Sequence, residues 1–259
     1  MTERVTLITG ASSGIGLELA RIFAAHGHTC VLVARRADRL SELADIIAAT
    51  GAQKPIAIAC DLAVEGASAQ LTQDLAALDL EVEILVNNAG FGLAGRMLEL
   101  DRALQLEMID LNIRALTDLT LRFTDSIIRN RGGILNVASI AAFLPGPGMA
   151  VYYASKAFVL SFTEALRGEL RNTGVRVTAL CPGPVPTEFQ SRAGFVPGSD
   201  SKLLAVSAVD VARAGYDGLM ANRQVVLPGF AVRIIPFLLR FVPRAWVLAV
   251  VAKVQQRRR

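Results

Sequence analysis

The chain has 259 residues, of which 53% are hydrophobic, and this is enough to bury the core of one large domain. Its formal net charge is +4, and eight lysines and arginines but no acidic residue follow Asp217. The residues up to Asp217 are therefore mildly acidic as a group. A nucleic-acid-binding protein would carry basic residues across its folded body, so this distribution argues against nucleic acid as a partner.

Three features bear on compartment and metal binding. A first predicted strand so close to Met1 leaves no space for the basic and apolar regions of a signal peptide. The longest charge-free stretch, residues 134–155, contains a Pro-Gly-Pro-Gly sequence and predicts no membrane-spanning helix. The three cysteines lack metal-ligand spacing, and His26 and His28 lack acidic or cysteine companions. We therefore expect reduced thiols, no metal and a cytoplasmic protein.

Short apolar runs alternate with helical stretches along the chain. The predicted strands cover residues 5–9, 29–34, 56–60, 84–87, 133–138, 176–181 and 225–227, and predicted helices include 15–25, 38–49 and 100–128. Near-continuous apolar strands that alternate with helices are typical of a parallel sheet covered on both faces. The pattern predicts an α/β fold at residues 1–229, a single doubly wound Rossmann domain with a seven-stranded parallel sheet.

Polar and glycine-rich segments follow six of these predicted strands. In chain order they are residues 10–16, Arg35 and Arg36, Asp61 and Leu62, residues 87–90, Ser139, and residues 182–184. In doubly wound sheets the ligand binds outside the carboxyl ends of the strands. The six segments therefore predict one site at one edge of the sheet.

The loop at residues 10–16 has the features of a phosphate-binding turn. Gly10, Gly14 and Gly16 allow a tight turn, close approach of the backbone to a pyrophosphate, and close packing of helix on strand. The helix that follows presents N–H groups and a positive dipole end to an anion. The loop therefore predicts a dinucleotide cofactor.

Together these motifs resemble those of the short-chain dehydrogenase/reductase family, in its branch with a Thr-Gly-x-x-x-Gly-x-Gly signature. The matching positions are residues 9–16, residues 87–90, Asn112, Ser139, Tyr152-x-x-x-Lys156 and Pro182-Gly183. The resemblance covers residues 4–229. It implies an oxidoreductase that interconverts a carbonyl and a secondary alcohol by hydride transfer.

Tyr152 and Lys156 are four residues apart and so share a helix face, which the adjacent Tyr153 does not. A free phenol has a pKa of about 10, and we expect the Lys156 ammonium to lower the pKa of Tyr152. The resemblance implies that Tyr152 is the acid/base, that Lys156 also binds the nicotinamide ribose, and that Ser139 polarises the substrate oxygen. It further implies that Asn112 orders a water in a proton relay, and an Asn112 that only packs or bonds locally stays the alternative.

Cofactor choice depends on the end of the second strand, where NAD-preferring enzymes place an acid. Here Ala34 is followed by Arg35 and Arg36, and we expect Arg35 to carry the cofactor choice. A guanidinium binds a 2′-phosphate through paired hydrogen bonds, so we expect NADP(H) to be preferred over NAD(H). The expected cofactor-binding residues are Gly10, Ser12, Ser13, Gly14, Ile15, Gly16, Arg35, Arg36, Asp61, Leu62, Asn88, Ala89, Gly90, Tyr152, Lys156, Pro182, Gly183, Val185 and Thr187.

The expected substrate is a small hydrophobic carbonyl or alcohol, such as a bulky ketone, a steroid-like compound or an acyl compound. Residues 184–206 are expected to form a lid over it, as they do in relatives. The apolar residues that suggest this substrate, several of which core packing explains equally well, are Phe91, Phe143, Leu144, Met149 and Phe189. The alternative function is an NADP(H)-binding scaffold or redox sensor with little catalysis, held at a membrane by its tail.

Residues 230–259 form a basic, apolar tail that we expect to fold into extra C-terminal amphipathic helices. Pro236 and Pro243 suit first-turn positions of two short helices. Large apolar side chains with basic residues and no acids fit peripheral contact with an anionic membrane. Packing within a homodimer or homotetramer is the other interpretation, and both stay open.

Overall fold

A computed structural model of the chain describes residues 2–194 and 205–256. Within these residues the strands are β1 Glu3–Thr9, β2 Cys30–Ala34, β3 Ile56–Ala59, β4 Leu80–Asn87, β5 Gly133–Val137, β6 Arg176–Leu180 and β7 Val225–Val226. They form one parallel sheet in the spatial order β3-β2-β1-β4-β5-β6-β7. The winding direction reverses between β1 and β4, the position where such sheets bind ligands.

Helices cover both faces of this sheet. They are α1 Gly14–Ala25, α2 Ala37–Ala49, α3 Ala67–Ala77, α4 Arg102–Ile109, α5 Leu116–Arg129, α6 Ala150–Glu169, α7 Glu188–Ala193, α8 Ala208–Met220, α9 Phe230–Leu238 and α10 Arg244–Gln256. A π-helical turn, Asp110–Ala115, joins α4 to α5, and a 3₁₀ helix, Ile140–Phe143, follows β5.

Successive side chains of each strand contribute to two apolar cores, one on each face of the sheet. Ile8 of β1 packs with α1, α2 and α8, whereas its neighbour Leu7 packs with α3 and α5. Successive strand side chains point to opposite faces, so a sheet covered on both sides requires apolar residues at consecutive positions. This is why the strands read as unbroken apolar runs.

The seven predicted parallel strands are confirmed, with ends displaced by up to four residues. The prediction of one helix over residues 100–128 is wrong, because the π-helical turn Asp110–Ala115 interrupts it. π turns occur frequently at functional sites. The prediction for Pro236 is also wrong, since this residue lies inside α9 near its C-terminal end, whereas Pro243 directly precedes α10.

The C-terminal tail, with α9, α10 and the turn between them, leaves large apolar side chains on the surface. Phe230 is 81% exposed, Phe241 73% and Trp246 69%, whereas Val232 and Val247 are buried. Across the described part of the chain, no helix combines the length and the apolar character that crossing a bilayer requires. The tail is therefore folded onto the protein by a few buried contacts, and its outer surface combines large apolar side chains with basic ones.

Candidate active site

A cleft lies at the carboxyl edge of the sheet, at the β1–β4 switch point. Every residue that the sequence predicts to be catalytic or to bind cofactor lines this cleft, with the exceptions of Gly16 and Asn112. These two lie directly behind its wall, Gly16 against Gly10 and Asn112 against Gly90. The fold thus brings the six predicted segments to one place.

The glycine loop leaves no space for side chains at two of its three glycines. Gly10 has a φ of +67°, and a Cβ there would lie 2.8 Å from the Cα of Ala89. A Cβ on Gly16 would collide with the Gly10 carbonyl oxygen and the Asn88 amide. The loop is therefore held tightly against the segment that follows β4. Its backbone lines the cleft at Gly10 and Gly14, and we call this part of the loop the glycine cradle.

Asn88 and Thr9 fix this arrangement. The Asn88 Nδ2 donates to the carbonyl oxygens of Thr9, at 2.9 Å, and Gly10, at 3.2 Å. The Thr9 hydroxyl accepts the backbone N–H groups of Asn88 and Ala89, both at 3.0 Å. These bonds tie the loop after β1 to the loop after β4 across the switch point.

The N-terminus of α1 suits an anion. Ser13 is its N-cap residue, but the Ser13 side chain makes no capping hydrogen bond, and the first turn contains no acid. The first backbone N–H groups of a helix need partners, and the helix dipole favours a negative charge there. The glycine cradle and this helix end fit the pyrophosphate of a dinucleotide.

The two arginines after β2 have different partners. Arg35 forms ion pairs with Asp61, at 3.6 Å, and with Glu107, at 3.3 Å. Arg36 donates to the Ser12 hydroxyl at 3.1 Å and pairs with Glu188 of α7 at 2.9 Å. Arg36 is therefore the arginine that contacts the glycine loop, although the sequence argument centred on Arg35.

Tyr152 and Lys156 project from the start of α6 beneath the loop after β5. The Lys156 Nζ donates to the Val137 carbonyl oxygen at 2.8 Å and lies 5.9 Å from the centre of the Tyr152 ring. Ser139 hydrogen-bonds the Tyr152 side chain, and its Oγ accepts the Ala141 backbone N–H at 3.1 Å. A serine hydroxyl, a phenol and an ammonium thus meet at one end of the cleft.

Burial governs the charge state of this group. It raises the pKa of Tyr152 to about 12, against a smaller lowering by the Ser139 hydrogen bond. It lowers the pKa of Lys156 to about 8. The expected lowering of the Tyr152 pKa is therefore wrong for this structure, because burial raises that pKa and Lys156 is not among the groups that shift it. At neutral pH the phenol holds its proton and most Lys156 side chains are ammonium.

Asn112 lies in the π-helical turn and is 1% exposed. Its Oδ1 accepts the Phe91 backbone N–H at 3.1 Å, and its Nδ2 donates to the Phe91 carbonyl at 3.0 Å and to the Ser155 hydroxyl at 3.1 Å. The side chain therefore holds the segment after β4 against α6. The amide serves as a local clamp, and the proton-relay role stays a prediction.

The end of the cleft beyond Tyr152 is mainly apolar. Phe91, Met149 and Phe189 line it as expected, whereas Phe143 packs in the core under α6 and Leu144 is not among the lining residues. Of the predicted lid, α7 contributes Glu188–Ala193, and residues 195–204 lie outside the described part of the chain.

Tyr153 and Gln255 are among the lining residues that sequence reasoning did not assign to the site. Tyr153 was considered only as a rival to Tyr152. Gln255 lies far along the chain from the motifs it reaches, and no spacing in the sequence connects them. Glu188 falls within the predicted lid, but its ion pair with Arg36 was not predicted.

The family model for short chain dehydrogenase matches residues 4–194. The chain belongs to the short-chain dehydrogenase family. It is an oxidoreductase with a Rossmann fold, and its cofactor is a nicotinamide dinucleotide.

Similar proteins carry names that differ in the substrate or cofactor they mention. Sulfoacetaldehyde reductase 2 of Chromohalobacter salexigens is 40% identical over 71% of this chain and 74% of its own. A short-chain dehydrogenase from Sphingobium yanoikuyae in complex with NADPH has a TM-score of 0.83 at 32% identity over 92% of each chain.

Two further structures widen the comparison. A family member from Burkholderia phymatum in complex with NAD has a TM-score of 0.80 at 26% identity, over 91% of this chain and 92% of that one. The bulky-bulky ketone specific alcohol dehydrogenase from Comamonas testosteroni has a TM-score of 0.75 at 27% identity, over 95% and 97%.

Proposed function

We propose that this protein is an NADP(H)-dependent reductase that interconverts a hydrophobic ketone or acyl carbonyl and its secondary alcohol. The observation that carries the proposal is the meeting of Ser139, Tyr152 and Lys156 at the end of a cleft that begins with the glycine loop. Carbonyl reduction needs a site for the cofactor and a proton donor for the substrate oxygen. The glycine loop at one end of the cleft suits the first, and Tyr152 at the other end suits the second.

The protein's own groups divide the chemistry. Ser139 donates a hydrogen bond to the substrate oxygen, and Tyr152 gives its proton to that oxygen in reduction or removes it in oxidation. Lys156 supplies a positive charge beside the phenol, and Asn112 supports the wall and the proposed water relay. A nicotinamide cofactor held by the glycine loop and Lys156 would supply the hydride for the substrate carbon in reduction and accept it in oxidation.

The preference for NADP(H) rests on charge at the end of β2. Arg35 and Arg36 stand where NAD-preferring enzymes place a carboxylate, and Arg36 already contacts the loop that would hold the phosphates. Asp61, Glu107 and Glu188 neutralise part of this charge. A 2′-phosphate would replace carboxylates as the partner of one or both guanidinium groups.

The hydrophobic substrate class rests on the lining beyond Tyr152. Phe91, Met149 and Phe189 offer apolar surface to whatever lies beside the phenol. The Comamonas enzyme is named for bulky ketones, whereas the Chromohalobacter relative is named for a small anionic aldehyde. The apolar lining favours the first class for this chain.

For assembly, we propose that α5 and α6 form a homo-oligomer contact and that the tail touches a membrane. Leu121 of α5 is 69% exposed, and Phe158 of α6 stacks on Phe162, so this face is apolar away from the cleft. With an apolar face already available for a second copy, the basic tail, residues 230–259, is the surface suited to anionic lipid. The proposed boundary between catalytic domain and tail is residue 229.

A direct test measures oxidation of NADPH and of NADH by the full chain against a panel of ketones and aldehydes. The panel includes small anionic aldehydes, small ketones and bulky hydrophobic ketones. We expect the highest kcat/KM with NADPH and a hydrophobic ketone. Faster turnover of an anionic aldehyde would overturn the substrate class, and cofactor binding without any turnover would favour the scaffold alternative.

A further inference from the structure

The last described helix returns to the cleft. Gln255 is 3% exposed and lines the cleft, and its Nε2 donates to the Tyr153 hydroxyl at 2.8 Å. The two residues are 102 positions apart in sequence. Tyr153 is the neighbour of Tyr152, and the centres of their rings are 6.1 Å apart. The tail therefore contacts the residue beside the proposed acid/base.

The buried side of α10 carries a polar residue, Gln255, where an apolar side chain would pack equally well. Val247 and Gln255, two turns apart, are buried on one side, whereas Trp246, Val250 and Val254 are exposed. A leucine would fill the space of Gln255 without needing a partner, and a buried amide costs free energy unless it is hydrogen-bonded. A glutamine at this position is therefore explained by what it binds.

The surroundings of the pair are those of a substrate chamber. Tyr153 packs in the apolar cluster that contains Met149, Tyr152 and Phe189. Gln255 brings an amide to the edge of this cluster from the helix above it. The chamber thus has an apolar wall supplied by the domain and a polar corner completed by the tail.

We infer that α10 covers the substrate end of the cleft and that Gln255, bound to Tyr153, is a specificity-determining residue. The pair limits the length of the substrate that fits beside Tyr152 while the cover is closed. This inference rests on the proposed carbonyl reduction, and it assigns the tail a part in substrate selection. Gln255 touches neither the reacting oxygen nor the glycine loop, so it acts on substrate size and leaves proton transfer to Tyr152.

The chain offers a matched control, because Gln256 is adjacent to Gln255, of the same type and exposed. The variants are Gln255→Leu, Tyr153→Phe, the double variant, and Gln256→Leu as control. The first measurement is amide hydrogen exchange across residues 247–256 in the full chain with saturating NADPH. The second is kcat/KM for a series of ketones of increasing length.

We expect Gln255→Leu and Tyr153→Phe to accelerate exchange in α10 by about threefold to tenfold, the effect of losing one hydrogen bond. The ratio of kcat/KM for long over short ketones should rise by a similar factor through KM, with kcat for the shortest ketone nearly unchanged. The effect of the double variant should fall short of the sum of the two single effects, because the Gln255–Tyr153 bond is lost in each. Gln256→Leu should match the wild type.

Equal rates of amide hydrogen exchange in Gln255→Leu and Gln256→Leu would overturn the inference that the Gln255–Tyr153 bond holds α10 over the cleft, whatever the activity. Faster exchange with an unchanged ketone ratio would overturn the specificity role. A wild type that reduces no ketone would overturn the proposed function and with it the specificity role, while the exchange result would still decide the cover.

Discussion

Burial favours the neutral phenol of Tyr152 and disfavours the charged form of Lys156. With a pKa of about 12, the Tyr152 phenol holds the proton that the substrate oxygen receives in reduction. Ser139 is hydrogen-bonded to this phenol. With a pKa of about 8, most Lys156 side chains are ammonium at neutral pH, and the buried Nζ donates a hydrogen bond to the Val137 carbonyl. Burial of the Lys156 ammonium, which suits the chemistry, is thus costly to the fold.

Replacing Tyr152 with phenylalanine removes the proton donor and keeps the ring. We expect kcat to fall by about 10²–10⁴-fold, the usual value of general acid-base catalysis, while the Kd of NADPH stays within a few fold. Steady-state kinetics and NADPH fluorescence titration measure the two quantities. Tyr153→Phe is the control and should keep most of the turnover of a short ketone. Loss of activity in the control alone would reverse the assignment.

Replacing Lys156 with methionine should abolish efficient turnover and stabilise the fold. The folded state holds the pKa near 8 against 10.5 for the free side chain, so folding near pH 7 carries a cost on the order of 1–3 kcal/mol after allowing for the lost bond to Val137. Between pH 8 and 10.5 the unfolded wild type binds the extra proton, so wild-type stability rises relative to the variant.

Urea unfolding of both proteins at several pH values measures this difference. The advantage of Lys156→Met in free energy of unfolding should shrink as pH rises from 8 to 10.5. If the difference in free energy of unfolding did not change with pH, burial would not lower the pKa of Lys156.

Arg35 and Arg36 test the cofactor choice. We expect Arg35→Asp and Arg36→Asp each to lower the ratio of kcat/KM for NADPH over NADH by about tenfold or more, since a charge-assisted bond is lost and a like charge faces the phosphate. Arg35→Asp should have the larger effect, because it also supplies an acceptor for ribose hydroxyls. Arg39→Asp, an exposed change of equal charge on α2, should leave the ratio unaltered. An unchanged ratio in both test variants would remove the arginines from cofactor selection.

At the scale of elements, the strands were predictable because a parallel sheet covered on both faces needs apolar residues at consecutive positions. The ends of strands carry the motifs, so predicting the sheet also predicted the edge where the site lies. The break in the helix at Asp110–Ala115 was not predictable, because a π turn needs the tertiary contacts of Asn112 with Phe91 and Ser155.

Contacts between distant elements account for the rest. Ser12 and Arg36 meet through side chains whose direction no spacing specifies, and the same holds for Gln255 and Tyr153. The local motif gives the residue types and the edge of the sheet. Which of two adjacent arginines reaches the loop is decided by the packing of α2 and α7.

The glycine loop gives a test at this scale with an internal control. Gly16→Ala places a methyl group against the Gly10 carbonyl oxygen and the Asn88 amide. We expect lower stability and a large rise in the Kd of NADPH, because the cradle must open. Gly168→Ala, an exposed position in α6 with open space around it, should stabilise the protein by up to about 1 kcal/mol. Thermal unfolding and NADPH titration check both, and normal NADPH binding by Gly16→Ala would contradict the cradle.

At the scale of the whole molecule, the same short tail faces two environments. Its inner side reaches the substrate chamber through Gln255, and its outer side exposes Phe241 and Trp246 among basic residues. A truncation would disturb both sides at once. Substitution of the outer residues separates them.

We expect Phe241→Ser with Trp246→Ser to reduce co-sedimentation with anionic liposomes by about tenfold or more, since each burial of a large side chain in lipid is worth about 1.5–3 kcal/mol. The mass in solution and the activity on a soluble short ketone should not change. Leu121→Asp on α5 is the matched variant, and it should lower the mass in solution while liposome binding per chain persists. A fall in mass with the tail variant would make the tail the oligomer contact. Unaltered liposome binding and mass in both variants would contradict both assignments.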